Sequence, residues 1–279
     1  MEDESKYYES PTESIPGLNF TDHVADLIEM RDFFNDRGIP TKNTRIDRYS
    51  QYLTEFISGK PFNEKLVFKS SIDERFKSGT DWLLYVLREV HEFAWILKGI
   101  KTQTPAGLES KLGMLVSGSD FAALDSNTLS RNVQFELRIA SYFCRSGCEV
   151  DLTHLTDLIG LNKEYAFFAE CKRVGSIAQL KKLLKEAKRQ LNRSMPSRYK
   201  ERIAFGCIAA DVTKAVYNHY GITWAITYEH SKDILQNKLK SIANNLPSAE
   251  LFLGGGNIIK YWLPIHKRRL IRHPPTPTT

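Results

Sequence analysis

The hydrophobic and polar positions of the first hundred residues follow a helical periodicity. Apolar residues recur every three to four positions in the segments 22–38, 44–60 and 79–100, which places them along one side of an α-helix. A stretch rich in Gly, Ser and Thr follows at 102–121 and predicts a connector with one short helix. No segment before residue 102 has the pattern of a strand, so we predict a helical region.

From about residue 131, short apolar and alternating runs appear between helical segments. Their order predicts the succession αβββαβ, which is typical of a mixed sheet flanked by helices. The last run of this series, at 202–213, is almost wholly apolar and predicts a buried central strand. Two more strands, joined through glycines, are predicted within 249–264. The predicted helices are 131–147 and 176–194, and the predicted strands are 148–154, 157–161, 165–174 and 202–213.

These patterns divide the chain into three regions. Residues 1–19 are acidic and polar and are predicted to be a disordered N-terminus. Residues 20–125 form a predicted helical domain, and residues 126–279 form a predicted domain of helices and strands. The expected fold class is therefore mixed α/β, with an N-terminal helical region followed by an αβββαβ core around a central mixed sheet.

The third predicted strand carries two charges where its pattern predicts burial. In the segment NKEYAFFAECKRV (162–174), Ala166, Phe168, Glu170 and Lys172 share one face, because side chains of a strand alternate with period two. Both faces begin with apolar residues, which indicates a strand covered on both sides. Buried charges are costly unless they are paired or bind a metal. Glu170 and Lys172 therefore form either an ion pair at the strand end or part of a functional site.

Two more acidic residues are placed to join this pair. Glu136 lies between Val133 and Ala140 on the predicted helix 131–147, so it shares a face with apolar residues. Asp157 opens the second strand, and the short loop that separates it from Glu170 brings both carboxylates to one end of adjacent strands. Simpler interpretations remain open, with Glu136 at the edge of its helix and Asp157 as a turn residue.

This arrangement resembles the PD-(D/E)XK nuclease superfamily. The resemblance lies in Glu136 on a helix, Asp157 at a strand start and Glu-Cys-Lys on the next strand, followed by a basic helix, and it covers residues 131–213. One departure is Thr156 in place of the proline that precedes the aspartate in the family motif. The resemblance implies a restriction-endonuclease-like core and a Mg²⁺-dependent nuclease that hydrolyses DNA endonucleolytically, in restriction or defence against foreign DNA.

The resemblance also implies roles for the motif residues. Asp157 and Glu170 would hold Mg²⁺, with Mn²⁺ able to substitute, and Glu136 and the Cys171 carbonyl would be further ligands. Mg²⁺ prefers hard oxygen ligands, and bound metal ions supply charge stabilisation and an activated water in phosphodiester cleavage. Lys172 would orient that water. The implied catalytic residues are thus Glu136, Asp157, Glu170 and Lys172.

Positive charge is concentrated next to this motif. The chain has a net charge of +6 and a sequence pI of about 9.0, and the segment 172–202 contains eleven Lys and Arg residues against two Glu. Such a concentration favours DNA as a partner, although a solvated helix face has the same composition. Gln190 lies near the apolar stripe of this helix and, because a helix glutamine reaches the active site in several nuclease groups of this kind, is a further catalytic candidate. The predicted nucleic-acid contacts are Arg173, Lys181, Lys182, Lys185, Lys188, Arg189 and Arg193.

Other features restrict the functional classes. No apolar run approaches the length of a membrane span, and the first residues lack the pattern of a secretory signal. Four cysteines without a disulfide-framework spacing predict a reducing, cytoplasmic location. The histidines show no metal-ligand spacing. The alternative function is a non-catalytic nucleic-acid-binding or regulatory protein that retains the nuclease fold, and the helical domain is a candidate surface for a homodimer or a partner protein.

Overall fold

The structure, a computed structural model, describes residues 20–59, 67, 79–122, 128–216, 222–225, 227–244, 259–264 and 268–271. It is mixed α/β, as the sequence predicts. Its helices are α1 (Phe20–Asn35), α2 (Arg45–Ser58), α3 (Gly79–Thr102), α4 (Leu108–Val116), α5 (Leu129–Arg145), α6 (Ile177–Ser194), α7 (Thr213–Val216) and α8 (Tyr228–Asn244). Its strands are β1 (Glu149–Asp151), β2 (Leu158–Leu161), β3 (Tyr165–Arg173), β4 (Arg198–Tyr199), β5 (Arg202–Asp211), β6 (Ile222–Ala225), β7 (Ile259–Trp262) and β8 (Arg268–Ile271).

The main sheet is mixed and has the strand order β1-β2-β3-β5-β4, with β7 also paired to β5. Strands β1, β2 and β3 are antiparallel, whereas β3, β5 and β7 run parallel. The predicted central position of β5 is confirmed, because β3 lies on one side of it and β4 and β7 on the other. The predicted succession αβββαβ is present as α5, β1, β2, β3, α6 and β5, except that the two-residue strand β4, which was not predicted, lies between α6 and β5.

Several details differ from the sequence predictions. The first predicted strand, 148–154, is only three residues long, because the chain turns after Asp151, whose carboxylate accepts hydrogen bonds from Thr153. A helix (α8) and a second, two-stranded sheet of β6 and β8 were not predicted. Strand β7 lies within the predicted strand pair, whereas 249–258 falls outside the described residues. The same is true of the predicted N-terminus 1–19 and of the boundary at 125–126.

The main sheet separates two hydrophobic cores. One core combines α1 to α5 with the sheet face that carries Ala169 and Ala209. The other lies between α6 and the opposite face, which carries Ala166, Phe168 and Ile208. Strand β3 is therefore covered on both sides, as its apolar pattern predicts. The helical region and the region that begins with α5 share the first core.

A buried ion cluster joins these two regions. Glu89 of α3 accepts hydrogen bonds from Arg88 and from Arg131 of α5, and Arg45 of α2 lies 3.8 Å from the same carboxylate. Burial alone raises the pKa of Glu89, but the charges of Arg131, Arg88 and Arg45 outweigh it and lower the pKa. Loss of one member would leave uncompensated buried charge, which is strongly destabilising.

Helices α3 and α5 approach closely at Gly99. A Cβ atom placed on Gly99 would overlap the side chain and backbone of Ser141, so this crossing requires glycine. The contact fixes α5 against the helical region. Among the helices that the structure describes, none has both the length and the apolar character needed to cross a bilayer.

Candidate active site

The β2–β3 hairpin places Asp157 and Glu170 at one end of two neighbouring strands. Leu158 pairs with Ala169 in this hairpin, so Asp157 and Glu170 are the next residues on the two chains. Glu170 is 2% exposed, and its side chain lies on the face predicted from the strand alternation. The short connection predicted this proximity, and the hairpin register provides it.

Asp157 is fixed to β3 through its side chain. The backbone N–H of Cys171 donates a hydrogen bond to Asp157 Oδ2 at 2.6 Å. Strand β2 pairs with β3 only as far as Ala169, so the carboxylate continues the hydrogen bonding where the strand pairing stops. In an extended strand the N–H and C=O groups of one residue point to the same neighbour. The Cys171 carbonyl therefore also faces the Asp157 side.

Glu136 reaches this region from α5. Its neighbours Val133 and Ala140 on the same helical face are buried, and Glu136 itself is 8% exposed. Burial raises the pKa of Glu136, and the charge of Asp157 raises it further. The buried position of Glu136 on α5 agrees with the inward direction predicted from the sequence pattern.

Lys172 forms an ion pair with Glu170. The distance between Lys172 Nζ and Glu170 Oε2 is 3.1 Å, so the simpler interpretation of these two charges is present in the structure. The pair does not neutralise the site, however. The pKa of Glu170 is raised to about 7, mainly by burial and further by the charge of Asp157, against the opposing effect of Lys172.

Glu136 and Glu170 are linked electrostatically through Asp157. Asp157 raises the pKa of both glutamates, and Glu136 contributes to the shift of Glu170. Carboxylates close enough to repel each other favour protonation or a bound cation. The three side chains come from α5 and from the two chains of the hairpin. Burial, together with the repulsion from Asp157 and Glu136, outweighs the opposing effect of Lys172 on the pKa of Glu170.

Lys111 is a site residue that sequence reasoning missed. Its Nζ lies 2.6 Å from Glu136 Oε2, and it comes from the predicted connector 102–121, within the predicted helical domain. A signal was available, because Lys111 stands three residues after Leu108 and four before Leu115, both of which are buried. This is the same spacing that singled out Glu136 on its helix.

The position of α4 is fixed at both ends. Before the helix, the N–H of Ala106 donates a hydrogen bond to Val150 O, and Ala106 O accepts one from the N–H of Leu152. Gly107 follows with φ +77°, and a Cβ there would overlap Thr153. At the other end, Leu115 O accepts hydrogen bonds from Arg45 and Ser130, which include an Arg45 Nη2 bond of 2.6 Å. These contacts hold Lys111 opposite Glu136.

The donor atoms suit a hard divalent cation. Carboxylate oxygens and a backbone carbonyl are the ligands that Mg²⁺ prefers, and a dication would relieve the repulsion among the three acids. In the arrangement described, Lys111 and Lys172 bind two of the three carboxylates. Within the described ranges, no three His, Cys, Asp or Glu side chains are grouped closely enough to form a metal site by themselves.

The predicted nucleic-acid residues lie mainly on the outer face of α6. The buried stripe Leu180, Leu184, Ala187 and Leu191 packs on the sheet, so the basic side chains face outward. Arg173 differs, because it lies 3.5 Å from the buried carboxylate of Asp211. The exposed members are Lys181, Lys182, Lys185, Arg189 and Arg193, and Lys188 is half-buried.

Gln190, the further catalytic candidate, faces solvent. It is exposed on α6 and lines a surface pocket with Glu186, Arg189 and Arg193. Its position near the apolar stripe, three residues after Ala187, suggested an inward orientation. The helix instead turns this side chain to the solvent side, since Ala187 and Leu191 occupy the sheet contact.

Searches of protein-family models, curated proteins and solved structures gave no significant match to this chain.

Proposed function

We propose that this protein is a Mg²⁺-dependent nuclease that hydrolyses phosphodiester bonds of DNA. The observation that carries the proposal is the hairpin geometry, in which Asp157 accepts a hydrogen bond from the Cys171 N–H directly beside Glu170. Burial and the charge of Asp157 also raise the pKa of Glu136 and of Glu170, which is expected of acidic groups that lie near one another. The amine of Lys172 lies beside them.

Each residue has a role in the proposed reaction. Asp157 and Glu170 would hold the metal, with Glu136 and the Cys171 carbonyl as additional oxygen ligands. The bound ion would supply charge stabilisation for the phosphate and lower the pKa of the attacking water. Lys172, through its ammonium group next to Glu170, would donate a hydrogen bond to this water and favour its hydroxide form.

The order of elements supports a restriction-endonuclease-like core. We infer that α5, the antiparallel strands β1 to β3, helix α6 and the parallel strand β5 correspond to that core. In this arrangement the acidic side chains lie at the end of β2 and β3, and α5 and α6 cover opposite faces. The helical region α1 to α4 is an addition that shares its hydrophobic core with α5.

DNA is the proposed substrate because α6 places positive charge beside the site. The helix begins at Ile177, directly after the short loop that follows β3 and Lys172. Its outward Lys and Arg side chains are suited to the phosphate backbone, whose neutralisation supplies most of the sequence-independent affinity of DNA-binding proteins. A DNA strand that is cleaved next to Lys172 would continue along the outer face of α6.

The test is cleavage of supercoiled and linear DNA in the presence of Mg²⁺. We expect Asp157→Asn and Lys172→Met to lose activity by about 100-fold or more, whereas Asp151→Asn, a neutralised acid on the neighbouring strand, keeps it. Equal trace cutting by the wild type and the two site variants would identify a contaminant and reject the proposal. Nicked, branched and single-stranded DNA and RNA, tested in the same way, would define the substrate.

The metal itself is tested separately by calorimetry with Mn²⁺. We expect one class of site in the wild type that Glu170→Gln removes. DNA binding without cleavage and without a Mn²⁺ site would instead support a non-catalytic nucleic-acid-binding protein.

A further inference from the structure

We propose that Lys111 is a positioning residue that controls entry of the metal. Its ammonium group holds Glu136 in an ion pair until the phosphate backbone of DNA draws it away, and Glu136 is then free to bind the ion. This inference rests on the proposed nuclease function, which it extends by a mechanism that couples DNA binding to metal binding.

The ion pair between Lys111 and Glu136 is short and largely buried. Lys111 Nζ and Glu136 Oε2 are 2.6 Å apart, and the two side chains are only 20% and 11% exposed. The pair between Lys172 and Glu170 is longer, at 3.1 Å. A short ion pair in partly dry surroundings is screened much less than a surface pair, so Lys111 holds Glu136 more firmly than an exposed lysine would.

The helix that carries Lys111 is held in place at both ends. Helix α4 is anchored to β1 through Ala106 and to α2 and α5 through Leu115 O, so the Lys111 backbone is fixed while its long side chain retains rotatable bonds. The ammonium group is therefore able to turn from one acceptor to another without a movement of the helix. A phosphate at the site would offer such an acceptor.

The charge of the site also supports the inference. Three carboxylates and the two lysines leave one negative charge in excess when all groups are ionised. A divalent cation reverses this charge, and one phosphodiester then neutralises it. Without Lys111 the metal-free site would be more negative, so it would bind a free divalent ion more tightly but would attract DNA less.

Such a transfer makes the two ligands cooperative. If phosphate removes Lys111 from Glu136, DNA raises the affinity for metal, and the metal must raise the affinity for DNA by the same factor. The site would then assemble fully only on its substrate. Free Mg²⁺ alone would be held weakly, with Glu136 still paired to Lys111.

The experiment measures Mn²⁺ binding to the full chain by calorimetry in the absence of DNA. We expect Lys111→Met to lower the Kd for Mn²⁺ by about tenfold and Lys111→Arg to leave it near the wild-type value. Lys101→Met is the matched control, because Lys101 pairs with Glu29 on the helical region in an exposed ion pair. In a Glu136→Gln background there is no ion pair to release, so Lys111→Met should tighten Mn²⁺ binding clearly less than it does with Glu136 present.

A second measurement follows DNA binding without metal at several salt concentrations. We expect Lys111→Met to reduce the slope of log K for DNA against log salt by about 0.9, which corresponds to the loss of one phosphate contact. Unchanged or weaker Mn²⁺ binding in Lys111→Met, tightening of the same size with Glu136→Gln, or an unchanged salt dependence would overturn the inference. Failure of the nuclease proposal looks different, since neither the wild type nor Lys111→Met would then bind Mn²⁺. Thermal unfolding and the Lys111→Arg variant show whether a change reflects misfolding.

Discussion

The backbone N–H of Cys171 donates a hydrogen bond to Asp157 Oδ2 at 2.6 Å. This bond joins the start of β2 to the part of β3 that β2 no longer pairs, and it holds the Asp157 charge next to Glu170. The carboxylate thereby has a structural role at the strand end and an electrostatic effect on both glutamates. The two roles separate in a variant that keeps the oxygen acceptor and removes the charge.

Asp157→Asn is expected to lower the pKa of Glu170 from about 7 towards its ordinary value. The amide oxygen of Asn still accepts the Cys171 hydrogen bond, whereas the repulsion between the two carboxylates disappears. The side-chain carboxyl shift of Glu170, followed by NMR during a pH titration of the metal-free protein, measures the change. Asp151→Asn should have no effect, and a Glu170 pKa that stays near 7 in Asp157→Asn would refute the proposed coupling.

The stability of the metal-free protein should fall as pH rises between about 4.5 and about 7. The pKa of Glu170 is raised to about 7 by folding, so the folded state binds more protons than the unfolded state in this range. Glu170 therefore stabilises the folded state fully at a pH below its unfolded pKa. As pH rises through its folded pKa, this contribution to the free energy of unfolding, about 3 kcal/mol, is lost.

Urea unfolding of wild type and Glu170→Gln at a series of pH values tests this sign. The difference in the free energy of unfolding between the two proteins isolates Glu170 from other titrating groups. The variant should become relatively more stable as pH rises, and a pH-independent difference would contradict the shifted pKa.

Neutralising outward residues of α6 should weaken DNA binding irrespective of sequence. Lys182→Gln and Arg189→Gln each remove one exposed positive charge, so each is expected to reduce the slope of log K against log salt by about 0.9. Fluorescence anisotropy with a labelled duplex measures both affinity and slope. Lys42→Gln, an exposed lysine in the loop before α2, is the control, and equal effects in all three variants would argue against a specific DNA-binding face.

Gly99→Ala should destabilise the protein by more than about 1 kcal/mol. The added methyl group overlaps Ser141 where α3 and α5 cross, and overpacking at such a contact is costly. Gly113→Ala is the matched change, since a Cβ there meets nothing within 4 Å. In the exposed interior of α4 it should stabilise by up to about 1 kcal/mol. Thermal unfolding of both variants measures the difference, and a neutral Gly99→Ala would show that the helices separate easily.

Local sequence patterns were sufficient for much of the site. Helix α5, the hairpin of β2 and β3 and the helix after it follow from hydrophobic periodicity, and the short hairpin connection brought Asp157 next to Glu170. The spacing of Glu136 between buried residues indicated its inward direction. These features depend on residues close in sequence, for which period and turn length determine the geometry.

Only the tertiary structure placed Lys111 against Glu136, oriented Gln190 outward and paired β6 with β8. Lys111 and Glu136 are 25 positions apart, and their contact depends on a strand bridge at Ala106 and on hydrogen bonds to Leu115 O. The shared core of the helical and α/β regions likewise depends on the fit of α3 against α5. Such contacts join surfaces that form only when distant segments pack, and the pattern of one segment does not specify its partner.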